Sequence, residues 1–221
     1  YGDKTLAELI SSLCSVENRI RLGSVECGVV DGKFLEACRS LKDFAPQFHL
    51  SLQSGSNAVL KKMNRHYTRE EYLEKCKLIY RFFPDAAITT DIIAGFPGES
   101  EEDFAYSLSI IDEAGFARVH AFAFSPREGT VAFRMKDTPS EVKEERLHRL
   151  LAAGEAAAQR FVQRNLGTVQ KVIFEDMEGD FTAGYTGSYI KVYCRGDLRG
   201  KVANVKLCSP YFGGAVGEIC D

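Results

Sequence analysis

Thr90-Asp91-Ile92-Ile93-Ala94-Gly95-Phe96-Pro97-Gly98-Glu99-Ser100 is the stretch that decides the fold. An apolar, β-rich run passes through a Gly/Pro loop into a helix. Ser100 can cap that helix, acids fill its first turn, and Phe104, Leu108 and Ile111 share one face. Gly115 ends it. The same unit recurs on both sides, with β-rich runs at residues 19–25, 48–52, 87–94 and 118–124. Between them, Phe34, Leu35, Cys38 and Leu41 share a helical face, and Thr68 with Glu71 reads as a capping box before Tyr72, Cys76, Ile79 and Tyr80. Strand and helix alternating at this spacing predict βα units and a parallel sheet.

Further along, Thr138-Pro139-Ser140-Glu141 reads as a capping box with Pro at the first helical position. Leu147, Leu150, Leu151, Gly154 and Phe161 carry that helix to about Asn165, and Gly167 stops it. The period then changes to two. Val169, Lys171, Ile173 and Glu175 begin a strand, residues 185–193 read as another, and Arg195-Gly196-Asp197 is a turn. Residues 201–207 and 215–219 follow. Several short strands in so short a length predict a small closed β-barrel. The expected organisation is a βα domain over 1–135, a connecting helix over 136–166 and a β-barrel over 167–221.

Composition narrows the class. The chain has 221 residues, 45% hydrophobic and 27% charged, enough for a packed core and unlike a disordered chain. No apolar run is long enough to span a bilayer and no signal segment opens the chain, so it reads as cytoplasmic, without a membrane partner. The opening Tyr1-Gly2-Asp3 reads as the interior of a longer protein. Net charge is −3 but uneven: residues 118–164 carry nine basic and six acidic groups. A basic strip on this middle segment is allowed, and a solvated helix face reads the same way. Cys14, Cys27, Cys38, Cys76, Cys194, Cys208 and Cys220 show no CxxC or CxxxC spacing, and the four histidines show no metal-ligand spacing. Reduced, mostly buried thiols and no metal site are expected.

Four segments carry candidate chemistry. Leu52-Gln53-Ser54-Gly55-Ser56 follows a strand, where parallel sheets place ligands; Gly55 permits a tight turn, Ser56 can cap a helix, and Gln53 can donate to and accept from a ribose or amide. A plain βα loop has the same form. In the Asp91–Glu99 stretch the glycines permit close approach by a flat ligand, and the helix N-terminus favours an anion. Asp91 within an apolar run must be paired, by a ligand or by a structural ion pair. Arg127, in Phe124-Ser125-Pro126-Arg127-Glu128-Gly129-Thr130, could clamp a carboxylate or phosphate, or be an exposed turn residue. Tyr185 and Tyr189, spaced by four, share a strand face with Lys191 nearby; this suits stacked bases, and also ordinary β packing. No Ser-His-Asp or Cys-His pair stands at a readable spacing, and no catalytic residue is assigned.

Taken as a set and in order, four stretches resemble the radical S-adenosylmethionine methylthiotransferases across nearly the whole chain: Phe48-His49-Leu50-Ser51-Leu52-Gln53-Ser54-Gly55-Ser56, Leu60-Lys61-Lys62-Met63-Asn64-Arg65-His66-Tyr67-Thr68, the Thr90–Glu99 stretch and the Phe124–Thr130 stretch. Ser51-Leu52-Gln53 and Asn64-Arg65-His66-Tyr67-Thr68 look most like the branch that modifies threonylcarbamoyl-adenosine beside the tRNA anticodon. Gly184-Tyr185-Thr186 and Tyr189 match that family's RNA-binding TRAM barrel. The resemblance implies an α/β chain: the C-terminal part of a partial six-stranded βα-barrel, here strands three to six, followed by a small antiparallel TRAM-like barrel. It implies S-adenosylmethionine and two 4Fe–4S clusters in the full-length enzyme. Reductive cleavage yields a 5′-deoxyadenosyl radical that takes hydrogen from adenine C2, and a methylated sulfur replaces it.

Residue by residue, the resemblance implies cofactor contacts from Gln53, Ser54, Arg65, Asp91, Gly95 and Phe122, and substrate contacts from Arg127, Tyr185 and Tyr189. The partner it implies is a tRNA anticodon stem-loop, and the basic residues Arg127, Arg134, Lys136 and Arg149 are expected to add to the grip. The family's CxxxCxxC and three-cysteine N-terminal domain have no match here, and Glu26 is followed by Cys27-Gly28 where the family commonly has Pro. A piece of this kind is expected to hold no cluster, to be inactive alone and to leave one sheet edge open to self-association. Rival readings are the same chemistry on isopentenyl-adenosine or on a ribosomal-protein aspartate, a non-catalytic RNA-binding module, and an ordinary βα enzyme with a phosphate ligand.

Overall fold

A computed structural model describes residues 5–220. Its first half alternates helix and strand: α1 (Leu6–Ser12), β1 (Ser24–Val25), α2 (Gly32–Arg39), β2 (Gln47–Leu50), α3 (Asn57–Lys62), α4 (Arg69–Phe82), β3 (Ala87–Ala94), α5 (Glu101–Glu113) and β4 (Arg118–Ala123). The long helix α6 (Ser140–Asn165) follows. Five strands complete the chain: β5 (Val169–Glu178), β6 (Phe181–Tyr185), β7 (Lys191–Arg195), β8 (Val202–Tyr211) and β9 (Gly214–Ile219).

The first four strands form one parallel sheet in the order β1-β2-β3-β4. Side chains alternate across it. Phe48, Leu50, Leu52, Ile88, Ile92 and Ala94 are fully buried beneath the helices, against Phe34, Tyr72, Ile79 and Phe104. His49, Ser51, Asp91 and His120 line the opposite, half-exposed face. The capping boxes expected at Thr68/Glu71 and the Ser100 cap form as read, and Gly115 follows α5 at φ 64°.

α6 crosses the back of β4 and α5. Gly154 lets it approach: a Cβ there would lie 3.1 Å from Val119 Cβ. Near its N-terminus Arg146 donates to Glu99 at 2.8 Å, with side chains only 6% and 0% exposed. Burial pushes the Glu99 carboxyl above its ordinary value, against the pull of the Gly95 N–H and of Arg146. At the other end Phe161 and Val162 enter the core of the barrel.

The barrel closes as β5-β6-β7-β9-β8, antiparallel except for the β7–β9 pair. Val172, Phe174, Val192, Val205, Leu207 and Ala215 fill it, and its core reaches Ala87 and Ala117 at the starts of β3 and β4. Arg19 ties the same end, donating to the carbonyls of Lys171 (3.1 Å) and Tyr185 (3.4 Å) and to Asp43 (3.3 Å). Although burial opposes it, Lys171 and Arg19 together hold Asp43 below the ordinary carboxylate value. The barrel therefore packs at the N-terminal ends of the sheet strands.

Several sequence expectations are corrected. The strand at 19–25 shrinks to Ser24–Val25, because Arg19 and Ile20 turn to the barrel and to an isolated bridge with Phe44. The strand at 185–193 is two strands joined by a turn: β6 ends at Tyr185, Tyr189 takes φ 64°, and β7 starts at Lys191. The capping box at Thr138 is not made. Pro139 itself occupies the cap position and offers no side-chain acceptor, while the Thr138 hydroxyl donates to the Phe96 carbonyl at 3.4 Å. Gly55 lies at a bend, as expected, and it also serves close packing, since a Cβ there would stand 2.3 Å from the Tyr106 carbonyl oxygen.

Removing one partner of a buried ion pair leaves the other uncompensated. Arg146→Met is therefore expected to lower unfolding stability by about 3 kcal/mol in urea titration. Adding Glu99→Gln should recover part of the loss; full stability of the single variant would contradict this role for the pair.

Candidate functional site

Parallel strands bring the ends of β2, β3 and β4 to one mouth. Beyond β2 the chain is held tightly. Thr90 Oγ1 donates to the Leu50 carbonyl (2.6 Å) and accepts from Leu52 N (3.0 Å), while Tyr72 also donates to Leu50 O (2.7 Å). Tyr67 donates to the carbonyls of Ser51 (2.9 Å) and Leu52 (3.1 Å). Under these constraints Gln53 is forced to φ 72°, a strained position for a residue with a side chain. Its backbone still pairs with β3: Gln53 N donates to Asp91 O at 2.8 Å, and Ile93 N to Gln53 O at 2.9 Å.

Ser54 is fully buried, with Oγ 3.4 Å from Ser107 Oγ and 3.2 Å from Ser56 N, so its hydroxyl is not presented at the mouth. Ser56 caps α3 as expected and also bonds Asp103. Arg69 locks this loop to α5, donating to the carbonyls of Gly55 (3.3 Å) and Tyr106 (2.8 Å), to Ser109 Oγ (2.9 Å) and to Glu113 (2.6 Å).

Below the mouth lies a polar network. His49 Nε2 is 3.2 Å from both Asp91 Oδ2 and Ser51 Oγ, and Ser51 donates to the same Asp91 oxygen at 3.1 Å. His49 Nδ1 faces Thr89 Oγ1 at 3.0 Å, which also accepts from Gln47. Asp91 is thus engaged within the sheet face. This is not a hydrolytic triad, because serine and aspartate share one ring nitrogen instead of flanking the imidazole. The His120 ring stands 5.9 Å from that of His49. Burial, then the Arg118 charge, holds its pKa below the ordinary value.

The β3–α5 loop turns at Gly95 (φ 72°) and Gly98 (φ 75°). Glu99 Oε2 accepts from Gly95 N at 2.9 Å, and Lys143 packs so closely that a Cβ on Gly95 would meet its Cγ at 2.4 Å. The expected anion affinity of the α5 N-terminus is overturned. Ser100 and Asp103 already satisfy each other's backbone N–H groups, and Glu101, Glu102 and Asp103 make that turn negative.

At the end of β4, Phe122 is 54% exposed and Phe124 packs on Phe96 at 5.2 Å. Arg127 is exposed and makes no ion pair among the described residues. Arg65 is exposed just after α3. Arg149 is not free for a polyanion, since Glu101 (2.8 Å) and Glu145 (3.1 Å) hold it.

Tyr185 and Tyr189 lie elsewhere. Their rings stack at 4.6 Å and 16° across the β6–β7 turn, with the Arg21 guanidinium 4.6 Å over Tyr189. That turn sits by Pro46, at the start of β2. The length of β3 separates it from the mouth, about 25 Å at the usual rise per residue. The sequence-predicted residues thus form two groups: Gln53, Asp91, Gly95, Phe122 and Arg127 at or just below the mouth, and the tyrosines at the far end. Sequence reasoning missed the strain at Gln53, the contacts joining His49, Ser51 and Asp91, and the buried Arg69; only the period-two polar positions in β2 and β3 signalled the network.

Gln53 and the exposed Phe122 ring offer polar and flat contacts of the kind an adenosyl group takes; the Gly95 backbone does not, being buried with its N–H taken by Glu99 and Lys143 packed over it. An iron–sulfur cluster finds no such fit. Among the described residues no three His, Cys, Asp or Glu side chains gather as a ligand set. Burial pushes the thiols of Cys27 and Cys194 up to about 11 and that of Cys38 up to about 12, away from the thiolate form a cluster needs. No helix of the described residues is long and apolar enough to cross a membrane.

Residues 3–111 match the sequence profile of the radical SAM superfamily. The chain is 36% identical to the threonylcarbamoyladenosine tRNA methylthiotransferase MtaB of Bacillus subtilis, over 92% of this chain and 47% of that protein. It is 43% identical to a tRNA-2-methylthio-N(6)-dimethylallyladenosine synthase of Bdellovibrio bacteriovorus, over 74% of this chain and 37% of that one. The synthase of the same name from Geobacillus thermodenitrificans is 37% identical over 100% and 43%. The chain thus spans less than half the length of these curated relatives. Among solved structures, the radical SAM enzyme coproporphyrinogen III oxidase (HemN) of Escherichia coli shares the fold, with a TM-score of 0.50 and 17% identity over 82% of this chain and 50% of that one.

A histidine whose folded pKa is depressed binds fewer protons than the unfolded chain as pH falls through the unfolded value, so stability falls with it. Denaturation midpoints are expected to drop between pH 7 and pH 5, and less steeply in His120→Gln. Identical pH slopes for the two proteins would contradict the depressed His120 value.

Proposed function

The chain belongs to the radical S-adenosylmethionine methylthiotransferase family, and from that premise we propose that the protein containing it adds a methylthio group to C2 of N6-threonylcarbamoyl-adenosine beside the anticodon of tRNA. One observation carries this reading: three family-like segments that are distant in sequence end on adjacent parallel strands at one mouth. In this proposal Gln53, Arg65 and the Phe122 ring hold S-adenosylmethionine, beside the loop that turns at Gly95. Ser54, fully buried, acts by anchoring the loop through Ser107 and Ser56, and Asp91 acts from beneath by fixing His49 and Ser51. When bound beside a reduced cluster, S-adenosylmethionine would supply radical chemistry toward the adenine ring. The 4Fe–4S clusters are held by segments of the longer protein. The barrel is read as TRAM-like, with Tyr185 and Tyr189 on its RNA-facing side.

The choice of adenosine rests on Arg127. A threonylcarbamoyl group carries a carboxylate and a dimethylallyl group does not, and an exposed guanidinium without an ion-pair partner among the described residues, on the loop that leaves β4, suits the former. The second reading, methylthiolation of dimethylallyl-adenosine, is favoured by relatives of that name at 43% and 37% identity. Fluorescence anisotropy with an anticodon stem-loop separates them. Threonylcarbamoyl on the adenosine is expected to tighten binding several-fold, and Arg127→Met to abolish the difference. Equal affinity for the modified and unmodified loops would contradict the carboxylate role.

A further inference from the structure

The barrel carries a second aromatic surface outside the Tyr185–Tyr189 stack. β6 and β7 pair with Phe181 opposite Arg195, Ala183 opposite Tyr193 and Tyr185 opposite Lys191. Val192 and Cys194 point into the core, so Lys191, Tyr193 and Arg195 lie on the other face; Arg195 is exposed there, while Tyr193 is buried beneath Phe181 and Tyr211. Tyr211 joins them from β8, its ring 5.0 Å from Tyr193 and 5.5 Å from Phe181. Phe212 stands edge-on to Tyr211 at 4.6 Å. Cations lie over two of these rings: Lys191 at 5.0 Å from Tyr193 and Arg195 at 5.6 Å from Phe181.

Phe212 is the informative residue. It and Gly213 form the two-residue β8–β9 hairpin turn, with Tyr211 paired to Gly214. Both take positive φ, 42° and 73°. Such a turn favours Asn-Gly or Asp-Gly, and a bulky side chain there is strained. Burial does not offset the strain, since Phe212 is 81% exposed. Neither the backbone nor the core accounts for this phenylalanine.

We propose that Phe212, with Tyr211, Tyr193 and Phe181 behind it and Arg195 beside them, is a stacking platform for unpaired bases of the RNA substrate. This rests on the tRNA reading above and adds a contact surface to it. The charge pattern favours RNA bases over a backbone grip: residues 167–221 carry six basic and seven acidic groups, and Lys191 is already paired with Glu178 at 2.6 Å. A surface of this kind binds through ring faces and is tolerant of base sequence.

The test uses the intact protein, a labelled anticodon stem-loop RNA and a blunt duplex of the same stem. Phe212→Asn installs the preferred turn pair, so the thermal midpoint is expected to hold or rise. Its affinity for the stem-loop should fall about tenfold, the loss of one stacked base, with duplex binding unchanged. Phe212→Trp should restore stem-loop affinity. Unchanged stem-loop affinity in Phe212→Asn overturns the platform while leaving the tRNA reading intact. A change in oligomeric state without a change in RNA affinity also overturns it, making the face a contact between copies. Failure of the unaltered protein to bind the stem-loop overturns the tRNA reading and the platform together.

Discussion

Four strands running in one direction are the constraint on which this structure depends. Parallel neighbours cannot be joined by hairpins, so helices return the chain and bury one face of the sheet. Every strand's C-terminal end then falls on the same side. Gln53, Gly95 and Phe122 meet there for that reason, although 69 positions separate the first from the last. The face away from the helices is free to carry polar groups, and His49, Ser51 and Asp91 occupy it as one hydrogen-bonded unit. The N-terminal ends fall on the opposite side, where Ala87 and Ala117 meet the core of the barrel.

α6 joins the two ends. Its 26 residues span about 39 Å. One end bears Arg146 and Lys143 against the Glu99 and Gly95 loop, and the other places Phe161 and Val162 inside the barrel. Between them Gly154 holds the helix against β4. The loop proposed to lie beside the cofactor and the barrel proposed to touch RNA therefore bear on one rigid helix.

Much of this was legible in the sequence because it is encoded locally. The Ser100 cap, the Thr68/Glu71 box, the Gly167 stop and the periodicity of β3 and α5 each lie within a few residues of one another. The misreadings have non-local causes. Residues 185–193 look like one strand by period, yet Tyr189 turns back to stack on Tyr185. Thr138 looks like a cap, yet its hydroxyl is taken by Phe96, 42 residues away. The strain at Gln53 is set by Thr90 and Tyr67, which hold the preceding carbonyls from other elements. The order of the site segments was visible; their division between two ends of the sheet was not, because it depends on where the barrel packs.

The most direct test of the central claim is nucleoside mass spectrometry on tRNA from cells with and without the gene. Loss of 2-methylthio-threonylcarbamoyl-adenosine, accumulation of its unmethylthiolated precursor and an unchanged dimethylallyl counterpart are the results the account predicts. Loss of the methylthio-dimethylallyl nucleoside instead, or an unchanged profile, would contradict it.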